Sequence, residues 1–490
     1  MCGIAGVWFP KEARENGVSP VSVLVRMTAG QQHRGHEGAG VIMASHGTGG
    51  LLENKDFGLV YDVFTPLVLK DLEGDCGISH NRYSTTGGNS RENIQPFKGV
   101  MDDNGGAERI AVAHNGNLTS ALNGLRPTTS DTWCILRNFG YVKKDLGIER
   151  RIYRALKSVS GSFSLVFVHQ GKDGKTRLIC ARDPHGIRPL WLAKYKFRNG
   201  AKSVGYLVAS ETCAFDTIRD AEVWRPVRPG EIVVIDEDGV KTFTPPAWRH
   251  QRIARCIFEL IYFMHPSSLV ETSDWKSHPV FACEVQFALG KQLARENLDL
   301  QADGVVAVPD SANIHTDGFC AQSCIPLVRG ILRRHSAGRT FIAPGDRTEK
   351  IIRKFTFLPT MLRPLSTVVL GDDSLVRGLT TKELILALRR SVGPDCPRIV
   401  VAIFSPPIIH PCFMGINTST RKELAWNEDG QSIEGVRQAI GADGLKYLSL
   451  KGLLRVVESC GCGRKSFCTA CFTGNYPVSI ERKEYQAELS

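Results

Sequence analysis

The arrangement of short apolar segments changes at residues 245–250, and this change constrains the fold more strongly than any other feature of the sequence. Before it, runs such as 4–9 and 163–168 lie near Gly, Asn and Asp residues, a pattern that predicts a strand-rich region. After it, strand-like runs such as 399–404 alternate with helical ones such as 285–296, which predicts a parallel α/β sheet. We therefore expect two domains joined by a proline-containing linker.

Composition excludes several classes of protein. The chain has 490 residues, of which 42% are hydrophobic and 23% are charged, which is typical of globular domains rather than of disordered or collagen-like chains. Because no apolar run approaches about 18 residues, we expect no membrane span. The net charge of +11 comes without long Lys/Arg blocks, so it favours a phosphorylated small molecule over nucleic acid.

Cysteine usage and the N-terminus indicate the compartment. The chain starts without the basic and apolar segments of a signal peptide, so we expect a cytoplasmic protein. Its 15 cysteines then lie in a reducing compartment, where clustered thiols more often bind metal or carry out chemistry than form disulfides.

Cys2 is the first candidate for chemistry. If the initiator Met1 is removed, its thiol lies beside a free α-amino group with a pKa of about 7.7–8.0. That amine can accept the thiol proton, which places nucleophile and base in one residue. On position alone, the alternative that Cys2 merely occurs early in the chain stays open.

Further segments give Cys2 a context. In chain order the segments are 2–6 (CGIAG), 34–40 (RGHEGAG), 81–85 (NRYST), 114–118 (HNGNL) and 130–132 (SDT). Together they resemble the glutaminase domain of the class II, N-terminal-nucleophile (Ntn) glutamine amidotransferases, and the resemblance implies an αββα sandwich over residues 2–244.

The resemblance implies three catalytic and three glutamine-binding residues. Cys2 would attack the side-chain amide of glutamine, while the Asn115 amide and the Gly116 N–H would form the oxyanion hole. Taken alone, Arg82 also fits a surface strand and Asp131 a helix cap. The residues expected to bind glutamine are Arg82 at its α-carboxylate, Asp131 at its α-ammonium and Thr85 through its hydroxyl.

A second candidate site lies in the later half. Residues 367–370 predict a strand, and Gly371-Asp372-Asp373-Ser374 leads into a loop and a helix from Lys382. The N–H groups of such a loop suit a phosphate, and the two carboxylates suit ribose hydroxyls or Mg²⁺. Taken alone, an Asp-Asp pair before a loop is weak evidence, since many turns have this form.

The longer string 367–381 resembles the motif of type I phosphoribosyltransferases that binds 5-phosphoribosyl pyrophosphate (PRPP). Its companion segments follow the order of the amidophosphoribosyltransferase family, which implies a type I phosphoribosyltransferase domain with a parallel sheet over 251–425 and a helical tail over 426–490. The implied reaction transfers ammonia from glutamine to PRPP, giving 5-phosphoribosylamine, pyrophosphate and glutamate in the first step of de novo purine synthesis. The companion segments are 308–311 (VPDS), 338–342 (GRTFI), 405–408 (SPPI) and 410–413 (HPCF).

The same resemblance assigns the residues of this second site. A Mg²⁺ ion would be held by Ser311, Asp372 and Asp373. PRPP would be bound by Asp372, Asp373, Ser374, Arg377, Gly378, Thr380 and Thr381, the last five at its 5-phosphate.

One segment departs from the family pattern and motivates two alternatives. The flap expected to close over PRPP, from Arg333 to Phe355, carries Asp346 and Glu349 where the family has hydrogen-bond donors, and carboxylates disfavour a polyanion. One alternative is a glutaminase with an altered or inactive phosphoribosyl half. The other is a non-catalytic regulatory paralogue.

Four cysteines in the tail form the last motif. Cys460, Cys462, Cys468 and Cys471 lie within twelve residues and suit a Cys₄ zinc site, although surface thiols are an alternative. Residues 468–474 (CTACFTG) resemble the tail of the iron–sulfur branch of the family. That resemblance implies a [4Fe–4S] cluster, leaves Cys460 and Cys462 unassigned, and gives the ligands as Cys256, Cys412, Cys468 and Cys471.

Partners follow from the resemblance alone. It implies glutamine and PRPP as substrates, purine nucleotides as feedback inhibitors and a homo-tetramer.

Overall fold

The structure is a computed structural model of the chain. It describes residues 1–13, 17–45, 50–83, 90–103, 106–120, 130–143, 145–197, 204–334, 354–428, 430–481 and 485. The strands are β1 Gly3–Trp8, β2 Gly38–Ala44, β3 Leu51–Phe57, β4 Cys76–Arg82, β5 Phe97–Asp103, β6 Gly106–Leu118, β7 Gly161–Gln170, β8 Thr176–Arg182, β9 Trp191–Lys196, β10 Val204–Ala209, β11 Ala221–Pro226, β12 Ile232–Asp236, β13 Gly239–Phe243, β14 Arg255–Cys256, β15 Gly304–Ala307, β16 Ile331–Arg333, β17 Phe355–Phe357, β18 Thr367–Asp372, β19 Arg398–Ile403, β20 Gly444–Tyr447 and β21 Phe467–Cys468.

The α-helices are mostly short. They are α1 Pro20–Gly30, α2 Val60–Val63, α3 Pro66–Lys70, α4 Thr132–Gly140, α5 Ile148–Leu156, α6 Cys213–Asp216, α7 Ala282–Arg295, α8 Asn313–Ser323, α9 Pro359–Leu362, α10 Leu379–Val392, α11 Ala425–Glu428, α12 Ile433–Ile440, α13 Leu450–Ser459 and α14 Ala470–Thr473. A π-helical turn, Glu259–Phe263, follows β14. Within the described ranges, no helix is long and apolar enough to cross a membrane.

Two antiparallel sheets form the first half. One has the order β11-β9-β10-β1-β4-β2-β3 and the other the order β13-β12-β8-β7-β6-β5. Fully buried side chains such as Ile4, Ile78 and Val166 fill the space between the sheets. Helix α1 packs on the outer face of the first sheet and α4 and α5 on that of the second. The four layers confirm the predicted αββα sandwich.

Strand β1 lies in the middle of its sheet because its residues are small or apolar, and all six are buried. It pairs antiparallel with β4, with Gly3 opposite Asn81. This register brings Cys2, just before β1, next to Arg82 at the end of β4. The sheet itself therefore brings two of the predicted site residues together.

The second half contains a four-stranded parallel sheet in the order β15-β18-β19-β20. Helices such as α7, α8, α10 and α13 pack against it around one apolar core, which confirms the parallel α/β prediction. Strand β20 lies at 444–447, so the segment expected to be a helical tail also supplies an edge strand of this sheet. Met1 and Ile187 of the first half belong to the same core, which joins the two domains.

Gly6 provides a test of the sandwich. A Cβ atom there would lie 2.8 Å from Leu178 Cδ1 and 2.8 Å from Val166 Cγ1, across the gap between the sheets. We expect Gly6→Ala to lower the free energy of unfolding by about 1–3 kcal/mol through overpacking, measured by urea denaturation. Gly50→Ala is the control, since nothing lies within 4 Å of its Cβ position; equal effects of the two substitutions would contradict the packing.

Candidate active site

Cys2 lies at the bottom of a pocket in the first domain. Its Sγ donates a hydrogen bond to the Tyr83 carbonyl oxygen at 3.4 Å. The pocket contains predicted residues from four separate segments, whereas Thr85 lies outside the described residues. Its lining consists of Cys2, His80, Arg82, Tyr83, Gln95, His114, Gly116, Ser130 and Asp131.

Asn115 lies on β6 between His114 and Gly116, which both line this pocket. The side chain is fully buried, yet neither its Nδ2 nor its Oδ1 has a hydrogen-bond partner in the described part of the chain. An unsatisfied buried polar group costs about 1–3 kcal/mol. A bound ligand that accepts from Nδ2 would remove that cost.

Gly116 continues the same strand with a backbone that only glycine tolerates. Its φ is 154°, and a Cβ atom would lie 2.1 Å from the Ser162 carbonyl oxygen and 2.7 Å from His114 Nε2. The absence of a side chain leaves the backbone open toward the Cys2 pocket. The role of Asn115 and Gly116 as paired oxyanion donors stays a prediction, and Gly116 itself lines the Cys2 pocket.

The two predicted glutamine-binding side chains that the structure describes are both buried. Arg82 is 3% exposed and donates to the Asn93 carbonyl, so it is not a surface strand residue. Asp131 precedes α4, but its carboxylate makes no cap hydrogen bond and instead accepts one from the Leu118 N–H at 2.8 Å. Both alternatives from the sequence therefore fail, and two buried, opposite charges face one pocket.

Two histidines of the pocket were missed by the sequence analysis as site residues. Burial lowers the pKa of His80 well below its ordinary value and also lowers the pKa of His114. His114 Nδ1 lies 3.1 Å from Thr132 Oγ1. Neutral imidazoles add no positive charge beside the thiol. His114 directly precedes the Asn-Gly pair, which is the only sequence signal for it.

The acidic pair of the second domain lies at the carboxyl end of the central strand β18. Asp372 and Asp373 are 8% and 3% exposed. Burial raises the pKa of Asp373 to about 6, and burial together with repulsion from Asp373 raises the pKa of Asp372 well above its ordinary value. Ser311 and Ser374 donate to Asp373, the latter at 2.6 Å. Crowded carboxylates with a hydroxyl neighbour suit a divalent cation.

The loop after this pair leads into helix α10. Gly378 has φ +70° and ends the loop, and Thr381 is buried in the first turn of the helix, whereas Thr380 is exposed. In this structure the Arg377 guanidinium binds Glu423 and the Asn417 carbonyl rather than pointing freely into the loop. The backbone N–H groups at this helix N-terminus suit a phosphate.

Two tyrosines lie between the sites. Tyr83, whose carbonyl binds Cys2, interacts electrostatically with both Cys2 and Arg377. Tyr262, on the π-helical turn, interacts electrostatically with Tyr83 and with Asp373. The two tyrosines therefore link the Cys2 pocket and the acidic pair electrostatically.

Four thiols from three parts of the chain converge beside the domain boundary. Cys256 on β14 is paired in register with Cys468 on β21. The Cys471 carbonyl accepts from Ile409 N at 3.0 Å, which brings the segment with Cys412 close. Desolvation first, together with repulsion from nearby thiolates, raises the pKa of Cys256 to about 11 and that of Cys468 to about 12.

These thiols form a possible metal-binding group. Cys471 interacts electrostatically with Cys256, Cys412 and Cys468, whereas Cys462 instead interacts with Arg255 and Cys460. Protonated thiols are poor ligands, and a bound cation would favour their thiolate forms. Cys₄ ligation by these thiols stays a prediction.

The combination of the two domains is that of a glutamine amidotransferase coupled to a phosphoribosyltransferase. The chain is 35% identical to amidophosphoribosyltransferase of Bacillus subtilis, over 98% of this chain and 94% of that protein. It is 36% identical to the chloroplastic amidophosphoribosyltransferase 2 of Arabidopsis thaliana, over 97% of this chain and 79% of the relative. The chain belongs to the amidophosphoribosyltransferase family, whose members catalyse the first committed step of purine biosynthesis.

Solved structures agree with this assignment. The chain superposes with a TM-score of 0.83 on an allosteric regulatory enzyme of purine biosynthesis, at 32% identity and covering 99% and 97% of the two chains. The TM-score is 0.81 for the B. subtilis glutamine PRPP amidotransferase complexed with ADP and GMP, at 32% identity and 98% coverage of both. No protein-family model matches the chain.

The raised pKa values of the acidic pair give a pH-dependent prediction. A carboxyl whose pKa rises from 3.8 to about 6 on folding binds its proton more tightly in the folded state, so it makes the protein lose stability as pH rises through that range. Without Mg²⁺ we expect Asp373→Asn to have a higher melting temperature than the unsubstituted protein at pH 8, and no advantage at pH 4.

Mg²⁺ binding at the acidic pair can be tested with the same variant. Added Mg²⁺ should raise the melting temperature of the unsubstituted protein at pH 8 but not that of Asp373→Asn, measured by differential scanning fluorimetry. Asp299→Asn, at an exposed position of the same domain, is the control and should behave like the unsubstituted protein. An equal Mg²⁺ shift with Asp373→Asn would contradict a cation site at this pair.

Proposed function

We propose that glutamine is hydrolysed at Cys2 and that its ammonia reacts with PRPP at the acidic pair Asp372–Asp373. The observation that carries this assignment is the fully buried Asn115 amide, which has no hydrogen-bond partner among the described residues and directly precedes Gly116 of the thiol pocket. An acyl-transfer reaction needs such a donor for its developing oxyanion, which supports the assignment.

The Cys2 amine acts as the base in this proposal, once Met1 is removed. Burial lowers the pKa of the Met1 α-amine to about 5, and an amine on Cys2 at similar depth would also be neutral at pH 7. It then accepts the thiol proton as Sγ attacks the glutamine side-chain carbonyl, and returns it to the departing ammonia. The oxyanion accepts from Asn115 Nδ2 and Gly116 N–H.

Arg82, Asp131 and Thr85 orient the substrate in this assignment. The Arg82 guanidinium binds the α-carboxylate of glutamine and Asp131 binds its α-ammonium. The burial of both charges supports this assignment, because an amino acid zwitterion supplies one opposite charge for each.

Ammonia then passes between the domains to PRPP. Tyr83 interacts electrostatically with Cys2 and Tyr262 with Asp373, which supports these two residues as the lining of that passage. Transfer inside the protein keeps ammonia unprotonated and away from water.

Asp372, Asp373 and Ser311 would hold Mg²⁺, which supplies positive charge to the pyrophosphate leaving group. The backbone after Asp373 and the α10 N-terminus bind the 5-phosphate, which is surrounded by Ser374, Gly378, Thr380 and Thr381. Arg377 also binds this phosphate, once its guanidinium has released Glu423. The chain thereby holds the anomeric carbon for attack by ammonia.

We expect Asn115→Ala to reduce glutamine-dependent phosphoribosylamine formation about 10²–10³-fold in kcat, because one oxyanion donor is lost. Synthesis from ammonium chloride and PRPP should be unchanged. Asn138→Ala is the control, because the amide of Asn138 on α4 donates to the Ala155 carbonyl of α5. Equal activity of Asn115→Ala and the unsubstituted protein would contradict the assignment.

The same assay distinguishes the alternatives. A glutaminase with an inactive phosphoribosyl half would hydrolyse glutamine without forming phosphoribosylamine from either nitrogen source. A regulatory paralogue would show neither activity. The flap that motivates them lies mostly at 335–353, outside the described residues.

We further propose that the chain belongs to the iron–sulfur branch of its family. Cys256, Cys412, Cys468 and Cys471 would hold a [4Fe–4S] cluster, which supplies a cross-link between β14, β21 and the loop before α11. The mutual interactions of these thiols support this ligand set.

Substitution of one ligand tests the cluster. We expect anaerobically purified protein to contain about four iron atoms per chain, and Cys468→Ser to lose most of them together with absorbance near 400 nm. Cys462→Ser removes a buried thiol from the same tail and should keep the iron. Full iron content in Cys468→Ser would rule out this ligand set.

Regulation and assembly complete the proposal. The B. subtilis relative was solved with ADP and GMP, which supports purine nucleotides as inhibitors of this chain. The homo-tetramer and the cytoplasmic location stay predictions.

A further inference from the structure

Four buried charges form a network between the two domains, next to Cys2. Arg34, Arg188 and Glu211 come from the first domain and Glu259 from the second. Each residue is at most 3% exposed. Two positive and two negative charges balance within it, as buried ions require.

Glu259 contacts both guanidinium groups. Its Oε1 accepts from Arg34 at 2.9 Å and from Arg188 at 3.3 Å, and its Oε2 accepts from Arg34 at 3.0 Å. Glu211 binds the same Arg34 from the first domain. The orientation of the Arg34 guanidinium is therefore fixed by one carboxylate from each domain.

A further donor of Arg34 reaches the residue of the proposed nucleophile. Its Nε donates to the Cys2 carbonyl oxygen at 3.0 Å. That hydrogen bond fixes the plane of the peptide between Cys2 and Gly3, and β1 begins at Gly3. The direction of the Cys2 side chain depends on this plane.

We propose that Glu259 is a positioning residue for Cys2, acting through Arg34. It holds the guanidinium that holds the Cys2 carbonyl, and so keeps the thiol aligned with the Asn115 amide. This inference rests on the proposed role of Cys2. Because Glu259 belongs to the phosphoribosyltransferase domain, the glutaminase site is fully formed only when the two domains are docked.

A purely structural role does not explain why this network consists of charged side chains. Replacing a buried ion pair with apolar residues is often neutral for stability, so stability gives little reason for a charged network here. Glu108 provides the comparison. It is equally buried, at 3% exposure, and binds Arg151 at 2.5 and 2.9 Å and His169 at 2.6 Å. It lies roughly 20 Å along β6 from Asn115.

The test compares Glu259→Gln with Glu108→Gln in the full-length, anaerobically purified enzyme. Each substitution removes one negative charge from a buried site. For Glu259→Gln we expect glutamine-dependent kcat to fall about tenfold to a hundredfold, since small misplacements of a reacting group have effects of this size. Ammonia-dependent synthesis should stay within twofold, and iron content should be unchanged. Glu108→Gln should not separate the two activities.

Two further measurements keep the result interpretable. Alkylation of Cys2 by iodoacetamide should slow in Glu259→Gln in parallel with kcat, which a general loss of folded protein would not produce. Glu259→Asp keeps the charge but withdraws it by one methylene group. It should fold if Glu259→Gln does not, and should retain intermediate glutamine-dependent activity with full ammonia-dependent activity.

Unchanged glutamine-dependent kcat in Glu259→Gln, or an equal loss of both activities in Glu259→Gln and Glu259→Asp, would overturn the inference. Failure of the function proposed above has a different result. In that case the unsubstituted enzyme itself would show no glutamine hydrolysis that depends on Cys2, as judged with Cys2→Ala.

Discussion

The burial of β1 between the second sheet and helix α1 is the constraint on which the rest of the structure depends. A strand that starts at residue 3 and is covered on both faces leaves the first residues no freedom to move. The position of Cys2 is set by the register of β1 with β4, which also sets the position of Arg82. The proposed nucleophile is thus held by core packing rather than by a loop.

The domain boundary contains the other features that matter for function. Ile187 packs into the core of the second domain, Glu259 reaches Arg34 of the first, and Arg188 donates to the Met414 carbonyl at 2.8 Å. Arg188 also interacts electrostatically with Cys256 and Cys412. The cysteine group, the buried ion network and Cys2 therefore all lie at the domain boundary.

Much of this organisation could be predicted from the sequence, for identifiable reasons. Runs such as 4–9 and 399–404 are short and apolar because they are buried on both faces, and the structure has strands there. Strand β20 was not predicted, because Gly-Leu-Lys-Tyr at an exposed sheet edge has no distinctive pattern. The pairing of Arg377 with Glu423 was not predictable either, since the two residues are distant in sequence and each is an ordinary surface type.

The pairing of β14 with β21 has a consequence for how the chain is made. Strand β14 is synthesised near the middle of the chain and β21 more than 200 residues later. Closing such a long loop costs more conformational entropy than forming a local contact. During translation, β14 and the apolar surface around it stay uncovered until β21 has left the ribosome. The nascent protein is therefore exposed to chaperones and proteases at this seam until residues 467–468 have emerged from the ribosome.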